Sequence, residues 1–188
     1  MIIQKLKRKP NRLNHFDYTT PGYYFVTICA QDRVCCFGEV IDGEMVLNKF
    51  GKIVEKYWVE IPEHYPNVKL DVYQIMPNHL HGIIIITPVG AAIGRPTEKA
   101  GNARPYISLN TIIGSFKNIT VKIIHKSGSA NFSWQKSFYD HVIRRDESLE
   151  KIRTYITNNP KQWELDLENP KNLKQQPAYN LAPKPPSF

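Results

Sequence analysis

Two histidines with one residue between them, His79 and His81, begin an apolar run of the chain. The isoleucines at 83–86 are β-branched, so the run predicts a β-strand. Side chains of a strand alternate between its faces, so both imidazoles point to one side and can share one metal ion. Gly82 beside them predicts space in which a ligand could approach the backbone. Taken alone, the pair is more typical of strand histidines satisfied by hydrogen bonds.

A tyrosine and an asparagine further along the chain could complete such a site. Tyr155 and Asn159 are four residues apart in a segment that predicts a helix, so they lie on one helix face. If this helix packs over the histidines, Asn159 offers an amide oxygen as a third metal ligand and Tyr155 brings a hydroxyl beside the ion. Asn159 precedes a proline, however, which disfavours helical geometry there. A helix-end aromatic with an asparagine cap is the alternative, and spacing alone favours it.

The charge balance favours a polyanionic partner. The chain has 188 residues, with 25 Lys and Arg against 17 Asp and Glu and a net charge of +8. Such an excess is typical of proteins that bind nucleic acid, although an inert basic surface gives the same total.

Targeting and cysteine signals point to the cell interior. The first nine residues lack the apolar core of a signal peptide, and no apolar run approaches the roughly 20 residues that a membrane helix needs. Cys29, Cys35 and Cys36 lack the paired spacing of a zinc site or a disulfide framework. We therefore expect a soluble, cytoplasmic protein with no membrane partner.

The periodicity of the chain predicts an α+β fold. Strand, hairpin, helix, strand, strand, helix, strand and helix follow one another, which is the ferredoxin-like βαββαβ antiparallel sheet with an inserted hairpin and an extra C-terminal helix carrying the tyrosine. One domain should span 1–163, with a basic arm at 1–20 and a mobile loop at 88–105, before an irregular Pro-rich tail at 164–188. The predicted elements are a strand at 23–29, a hairpin of 34–41 and 44–47 around Asp42-Gly43, a helix capped by Asn48 and stopped by Pro62, strands at 68–76 and 79–87, a helix at 108–125, a strand at 138–144 and a helix capped by Asp146.

An ordered set of motifs resembles one family. The motifs are Met76-Pro77-Asn78-His79-Leu80-His81, Ser133-Trp134-Gln135, Tyr139-Asp140-His141-Val142-Ile143-Arg144 and Tyr155-Ile156-x-x-Asn159-Pro160. This set is similar to that of the REP-associated tyrosine transposases, a branch of the IS200-like single-tyrosine HUH endonucleases, and the likeness runs roughly from Arg12 to Trp163.

The resemblance implies a metal-dependent single-stranded DNA endonuclease and strand transferase. Such a transposase acts on hairpin-forming palindromic repeats through a 5′-phosphotyrosine intermediate. Tyr155 would be the nucleophile, and His79, His81 and Asn159 would bind Mg²⁺ or Mn²⁺. Asp140 and His141 are weaker candidates for residues that support these ligands. Phosphate contacts are expected from Lys7, Arg8, Arg12, Lys117, Lys122, Lys136, Arg144, Arg145 and Arg153.

Two other functions fit parts of the sequence. A non-cleaving hairpin DNA-binding protein derived from a transposase would explain the basic arm without any chemistry. A replication initiator or relaxase ranks lower, since those enzymes commonly carry a third histidine or paired tyrosines. We expect single-stranded or hairpin DNA as the partner and a monomer or a homodimer as the active form.

Overall fold

The computed structural model describes residues 16–88, 107–166 and 168–173. The expectations for 1–15, for all but the first residue of the 88–105 loop, and for 174–188 lie outside these residues. The strands are β1 (Gly22–Cys29), β2 (Gly38–Ile41), β3 (Glu44–Leu47), β4 (Val68–Ile75), β5 (His79–Ile86) and β6 (Tyr139–Ile143). The helices are α1 (Lys49–Val59), α2 (Ile61–His64), α3 (Leu109–Lys126), α4 (Asp146–Asn158) and α5 (Pro170–Leu173), with 3-10 helices at Gln31–Arg33 and Pro160–Leu165.

Four strands form one antiparallel sheet in the order β4-β5-β1-β6, which confirms the predicted ferredoxin-like arrangement. β2 and β3 form the separate inserted hairpin. The histidine strand β5 therefore lies inside the sheet, paired on both sides, and both of its ends are anchored by neighbouring strands.

The two faces of the sheet bury different sets of apolar side chains. Leu80, Ile84 and Ile86 of β5 belong to the larger cluster, which also contains buried residues of α1 and α3. Ile83 belongs to the smaller cluster, together with the buried residues of α4. Burying each large aliphatic side chain contributes about 1.5–3 kcal/mol, so the stripe Leu149, Ile152 and Ile156 contributes strongly to holding α4 on the sheet.

Turn and cap chemistry places the first hairpin and α1 where the sequence predicts them. Asp42 and Gly43 both have positive φ, 51° and 79°, as a two-residue hairpin turn requires. The Asn48 side chain accepts hydrogen bonds from the amides of Phe50 and Gly51, and so caps α1. The expected strand at 34–41 is shorter and starts only at Gly38, because the amides of Cys36 and Phe37 donate to the carbonyl of Pro77 rather than across the hairpin.

Helix α4 begins one residue earlier than predicted, and at its end Asn159 remains helical despite the proline that follows. Asp146 is the first residue of the helix rather than its cap, and Arg145 occupies the cap position without a side-chain cap bond. Asn159 keeps helical backbone angles of φ −57° and ψ −41°, although Pro160 follows it. The turn continues into the 3-10 helix, so Asn159 stays on the face of α4 that carries Tyr155.

The segment that follows the tyrosine helix packs onto the domain. Trp163, Glu168 and Asn169 are buried. Asp166 and Asn169 each accept a hydrogen bond from the backbone amide two residues further on, at 2.6 and 3.0 Å, which makes two consecutive Asx turns. Ordered structure thus continues beyond Trp163, into the region expected to be an irregular tail.

Gly82 has a packing role that differs from the one expected. A Cβ atom there would lie 2.4 Å from Cζ2 of Trp58, which is fully buried. The expectation of space for a ligand is therefore wrong: the missing side chain admits an indole from α1.

Candidate functional site

The two β5 histidines are buried on the sheet face that α4 covers. His79 is fully buried and His81 is 3% exposed, and their Nε2 atoms lie 3.0 Å apart. Their Nδ1 atoms face away from each other. Nδ1 of His79 lies 2.8 Å from Oδ1 of Asn78, and Nδ1 of His81 lies 2.8 Å from the hydroxyl of Thr27 on β1. These outer contacts orient both Nε2 atoms toward a common point, as is typical of paired metal ligands.

The tyrosine helix brings its polar residues to the same point. The Tyr155 hydroxyl lies 3.3 Å from Nε2 of His81. The ring of Phe25 on β1 packs against both Tyr155 and His81 and so fixes their relative position. Asn159 is 2% exposed and forms a side-chain hydrogen bond with Tyr155. All four side chains predicted for the site therefore lie together, while their chemical roles stay predictions.

The sequence analysis missed one residue of this group, Asp166. Its carboxylate and the ring nitrogens of His79 and His81 provide ligand atoms that all lie within 4.8 Å of one another. Asp166 falls in the segment 164–188, whose composition predicts an irregular tail. That composition therefore offers no reason to place Asp166 at the site. The Asx-turn pattern of Asp166 and Asn169 is the signal that could have indicated an ordered turn here.

Two buried oxygens at the site are compatible with a cation. Among the described residues, Oδ2 of Asp166 and Oδ1 of Asn159 have no hydrogen-bond partner. Leaving buried acceptors unpaired costs about 1–3 kcal/mol each, which a metal ion would offset. Two imidazole nitrogens with carboxylate and amide oxygens form a donor set that suits divalent ions such as Mn²⁺ or Mg²⁺.

Burial sets the protonation states of these groups. Desolvation, followed by the charge of Arg33, lowers the pKa of His79 to about 3. Desolvation and then the neighbouring His79 lower the pKa of His81 well below its usual value. Desolvation also raises the pKa of the Tyr155 phenol, and the charges of Asp166 and Glu168 raise it further. The site therefore presents neutral imidazoles, which can bind a metal, beside a protonated phenol.

A buried ion pair holds the turn that carries Asp166 in place. Arg33 and Glu168 are 7% and 3% exposed, and the guanidinium donates to the carboxylate through Nε and Nη2. This pair fixes the turn that carries Asp166 against the 3-10 helix at Gln31–Arg33. Sequence patterns gave no sign of it, since the two residues are 135 positions apart.

The residues expected to support the ligands lie on opposite faces of β6. His141 pairs with Phe25 in the register of β1 and β6, and so lies on the histidine face. Asp140 alternates with it and lies on the face that α1 and α3 cover, which separates its carboxylate from the histidines by the thickness of the sheet.

Some of the residues expected to contact phosphate already bond to other groups of the protein, and others are exposed. Lys117 donates to the backbone carbonyls of Gln135 and Ser137. Arg153 is bonded to Asp71 and Glu150. Lys7, Arg8 and Arg12 lie outside the described residues, and Lys122, Lys136, Arg144 and Arg145 are exposed.

No helix in the described part of the chain is both long enough and apolar enough to cross a membrane.

Comparison with known proteins gives one clear relative. No family model matches the chain. A Haemophilus influenzae protein, described only as uncharacterized, is 38% identical over 164 residues, which cover 85% of this chain and 91% of that protein.

Two solved structures are similar at lower identity. One is a REP-associated tyrosine transposase bound to a REP hairpin, with 17% identity and a TM-score of 0.49 over 88% of this chain and 80% of that one. It is a member of the family that the motifs resemble. The other is described as a candidate transposase of Deinococcus radiodurans R1, with 10% identity and a TM-score of 0.43 over 78% of this chain and 95% of that one. At these TM-scores and identities, the two similarities describe the path of the backbone only and carry no functional information. On the sequence match, this chain belongs to the same protein family as the Haemophilus influenzae protein.

Proposed function

We propose that this protein is a metal-dependent single-stranded DNA endonuclease and strand transferase, a transposase that acts beside DNA hairpins through a 5′-phosphotyrosine. The observation that carries the proposal is the meeting of the Tyr155 hydroxyl with the His79 and His81 ring nitrogens in one buried place. The motif set supports the family, and the net charge of +8 suits a nucleic-acid substrate.

The chain's own residues suit attack on a phosphodiester. Tyr155 Oη would form a bond to phosphorus while the bond from phosphorus to the 3′ oxygen breaks. The phenolic proton leaves, and the departing oxygen takes up a proton to become a 3′-hydroxyl. The bond energy is retained in the phosphotyrosine, so the reverse reaction can join strands.

The metal ligands in this proposal are His79, His81 and Asp166, with Asn159 as a further oxygen donor. A divalent cation held there would withdraw charge from the phosphate and lower the pKa of a nearby hydroxyl. That help matters because burial raises the pKa of Tyr155 and so keeps the phenol protonated. Mg²⁺ or Mn²⁺ is the expected ion.

The test is covalent capture of DNA. A labelled hairpin oligonucleotide with a single-stranded flank is mixed with the protein and Mn²⁺, and adducts that survive denaturation are counted. Wild type should become labelled and Tyr155→Phe should not. Tyr139→Phe is the matched control, because Tyr139 lies on the same sheet face and its ring also packs edge-on against Phe25.

Two results would contradict the proposal. Labelling of Tyr155→Phe would show that another group is the nucleophile. Hairpin binding that persists with a chelator, without adduct or nicking in any divalent metal, would favour the non-cleaving DNA-binding protein.

A further inference from the structure

Asn78 occupies the turn between β4 and β5 and is fully buried. Its amide nitrogen donates to two backbone carbonyls, that of Arg33 at 3.0 Å and that of Glu168 at 2.7 Å. Its amide oxygen lies 2.8 Å from Nδ1 of His79. All three contacts have ordinary hydrogen-bond lengths, so the amide is fully engaged.

These contacts determine which way the amide faces. A backbone carbonyl can only accept, so the two carbonyls of Arg33 and Glu168 require the NH₂ group of Asn78. If the amide were flipped, its oxygen would face the two backbone carbonyl oxygens, which have no hydrogen to donate, and its NH₂ group would face the ring of His79. The oxygen must therefore face His79.

The direction of the amide in turn determines the tautomer of His79. An amide oxygen can only accept, so Nδ1 of His79 carries the proton in the neutral ring. The lone pair then lies on Nε2, which points at Nε2 of His81, 3.0 Å away. Thr27, the partner of His81 Nδ1, is a hydroxyl that can donate or accept, so it imposes no such choice.

The carbonyls that hold Asn78 come from distant parts of the chain. Residues 33 and 168 are joined by the buried ion pair of their own side chains. The backbone carbonyl of Asn78 also accepts from the amide of Ala30 at 2.8 Å. The amide of Asn78 is thus fixed by the same turn that carries Asp166.

We infer that Asn78 is a positioning residue that fixes His79 as the Nδ1–H tautomer and so presents the Nε2 lone pair to a divalent cation. The inference rests on the proposed function only in taking His79 as a metal ligand. It gives the asparagine of the Pro-Asn turn a role in addition to the turn itself.

The first experiment needs no variant. Two-bond nitrogen–proton correlations of ¹⁵N-histidine-labelled protein, prepared with a chelator, identify the protonated nitrogen of each ring. His79 is assigned as the resonance missing from His79→Gln. Protonation of His79 at Nδ1 is expected. Protonation at Nε2 would overturn the inference, whatever the protein does to DNA.

The second experiment compares variants for Mn²⁺ binding by calorimetry. Asn78→Leu keeps the approximate size of the side chain and removes the acceptor oxygen that faces Nδ1 of His79, together with both N–H donors. Loss of such an outer contact should weaken Mn²⁺ binding about 10- to 100-fold and mix the His79 tautomers. Asn67→Ala is the control, because Asn67 lies at the far end of β5, where its carbonyl accepts from Thr87.

Folded Asn78→Leu with wild-type Mn²⁺ affinity and an unchanged His79 tautomer would overturn the inference. If that variant does not fold, the wild-type spectrum still decides the question. Failure of the proposed function would look different: no DNA adduct in wild type, with the tautomer as expected.

Discussion

The Tyr155 hydroxyl lies 3.3 Å from Nε2 of His81, although the two residues are 74 positions apart in the chain. One comes from a helix and the other from an inner strand, and the apolar seam between α4 and the sheet fixes their separation. Such a contact joins a nucleophile candidate directly to a metal-ligand candidate. A small shift of α4 on the sheet would therefore change the chemistry without removing any polar group.

Asp166→Asn should weaken Mn²⁺ binding and stabilise the protein in the presence of a chelator. The two effects have opposite signs, because the carboxylate attracts a cation but its Oδ2 is buried without a hydrogen-bond partner among the described residues. The loss of affinity should be at least the roughly tenfold that outer contacts cost. Calorimetric titration and thermal unfolding measure the two effects.

Glu164→Gln is the matched control for this prediction. Glu164 is an exposed carboxylate of the 3-10 helix Pro160–Leu165, just before Asp166, and pairs only loosely with Lys171 at 3.4 Å. Equal Mn²⁺ affinities of wild type and Asp166→Asn would remove Asp166 from the site.

Acidification from pH 7 to pH 5 should destabilise the protein. Burial lowers the pKa of His79 to about 3, so between that value and the usual 6.5 the unfolded chain binds a proton that the native chain does not. This contribution to stability is complete above pH 6.5 and is lost as the pH falls, by about 2 kcal/mol for His79 at pH 5. His81 acts in the same direction. Urea unfolding with a chelator measures the change.

His79→Gln should reduce that loss, because glutamine takes up no proton. The exposed His64, replaced by glutamine, serves as the control. An equal loss of stability in His79→Gln and wild type would show that other groups cause the acid sensitivity.

Gly82→Ala should destabilise the fold, while Gly114→Ala should not. A Cβ at Gly82 would lie 2.4 Å from the buried Trp58 ring, and overpacking of this kind costs about 1–3 kcal/mol. At Gly114, inside α3, a Cβ meets nothing within 4 Å among the described residues, so alanine should stabilise the helix by about 0.5–1 kcal/mol. Chemical unfolding compares the two added methyl groups directly, and a tolerated Gly82→Ala would contradict the packing role.

Arg153→Ala should lower stability more than it lowers hairpin affinity. The guanidinium donates to both carboxylate oxygens of Asp71 on β4, through Nε at 3.2 and 3.1 Å and also through Nη2, and so fastens α4 to the sheet. Burial raises the pKa of Asp71, but the hydrogen bonds from Arg153 and from the backbone amide of Val72, together with the charge of Arg153, outweigh it and the net pKa is lowered. Because the pair is partly exposed, its loss should cost only about 1 kcal/mol.

A double-variant cycle with Asp71→Asn tests this assignment, since a shared interaction makes the two losses less than additive. Lys151→Ala is the control, because it removes an exposed cation of α4 that pairs with Glu147. Unchanged stability with weaker hairpin binding and a lower salt dependence would instead support the phosphate contact predicted from the sequence.

Local patterns were enough to predict the elements and their order. Strand alternation put His79 and His81 on one face, helical spacing put Tyr155 and Asn159 on another, and the turn residues Asp42 and Gly43 fixed the hairpin. Each of these inferences depends on geometry that repeats within a few residues, so the sequence carries it directly.

The sequence by itself thus determined which side chains could do chemistry and on which elements they stand. Only the tertiary structure decided that α4 lies over the histidine face, that Asp166 joins the group, and that Asn78 directs the ring of His79. It also decided that Gly82 meets an indole and that Asp140 lies behind the sheet. The physical reason is that these contacts join residues far apart in the chain, through apolar packing and a buried ion pair that leave no periodic trace in the sequence.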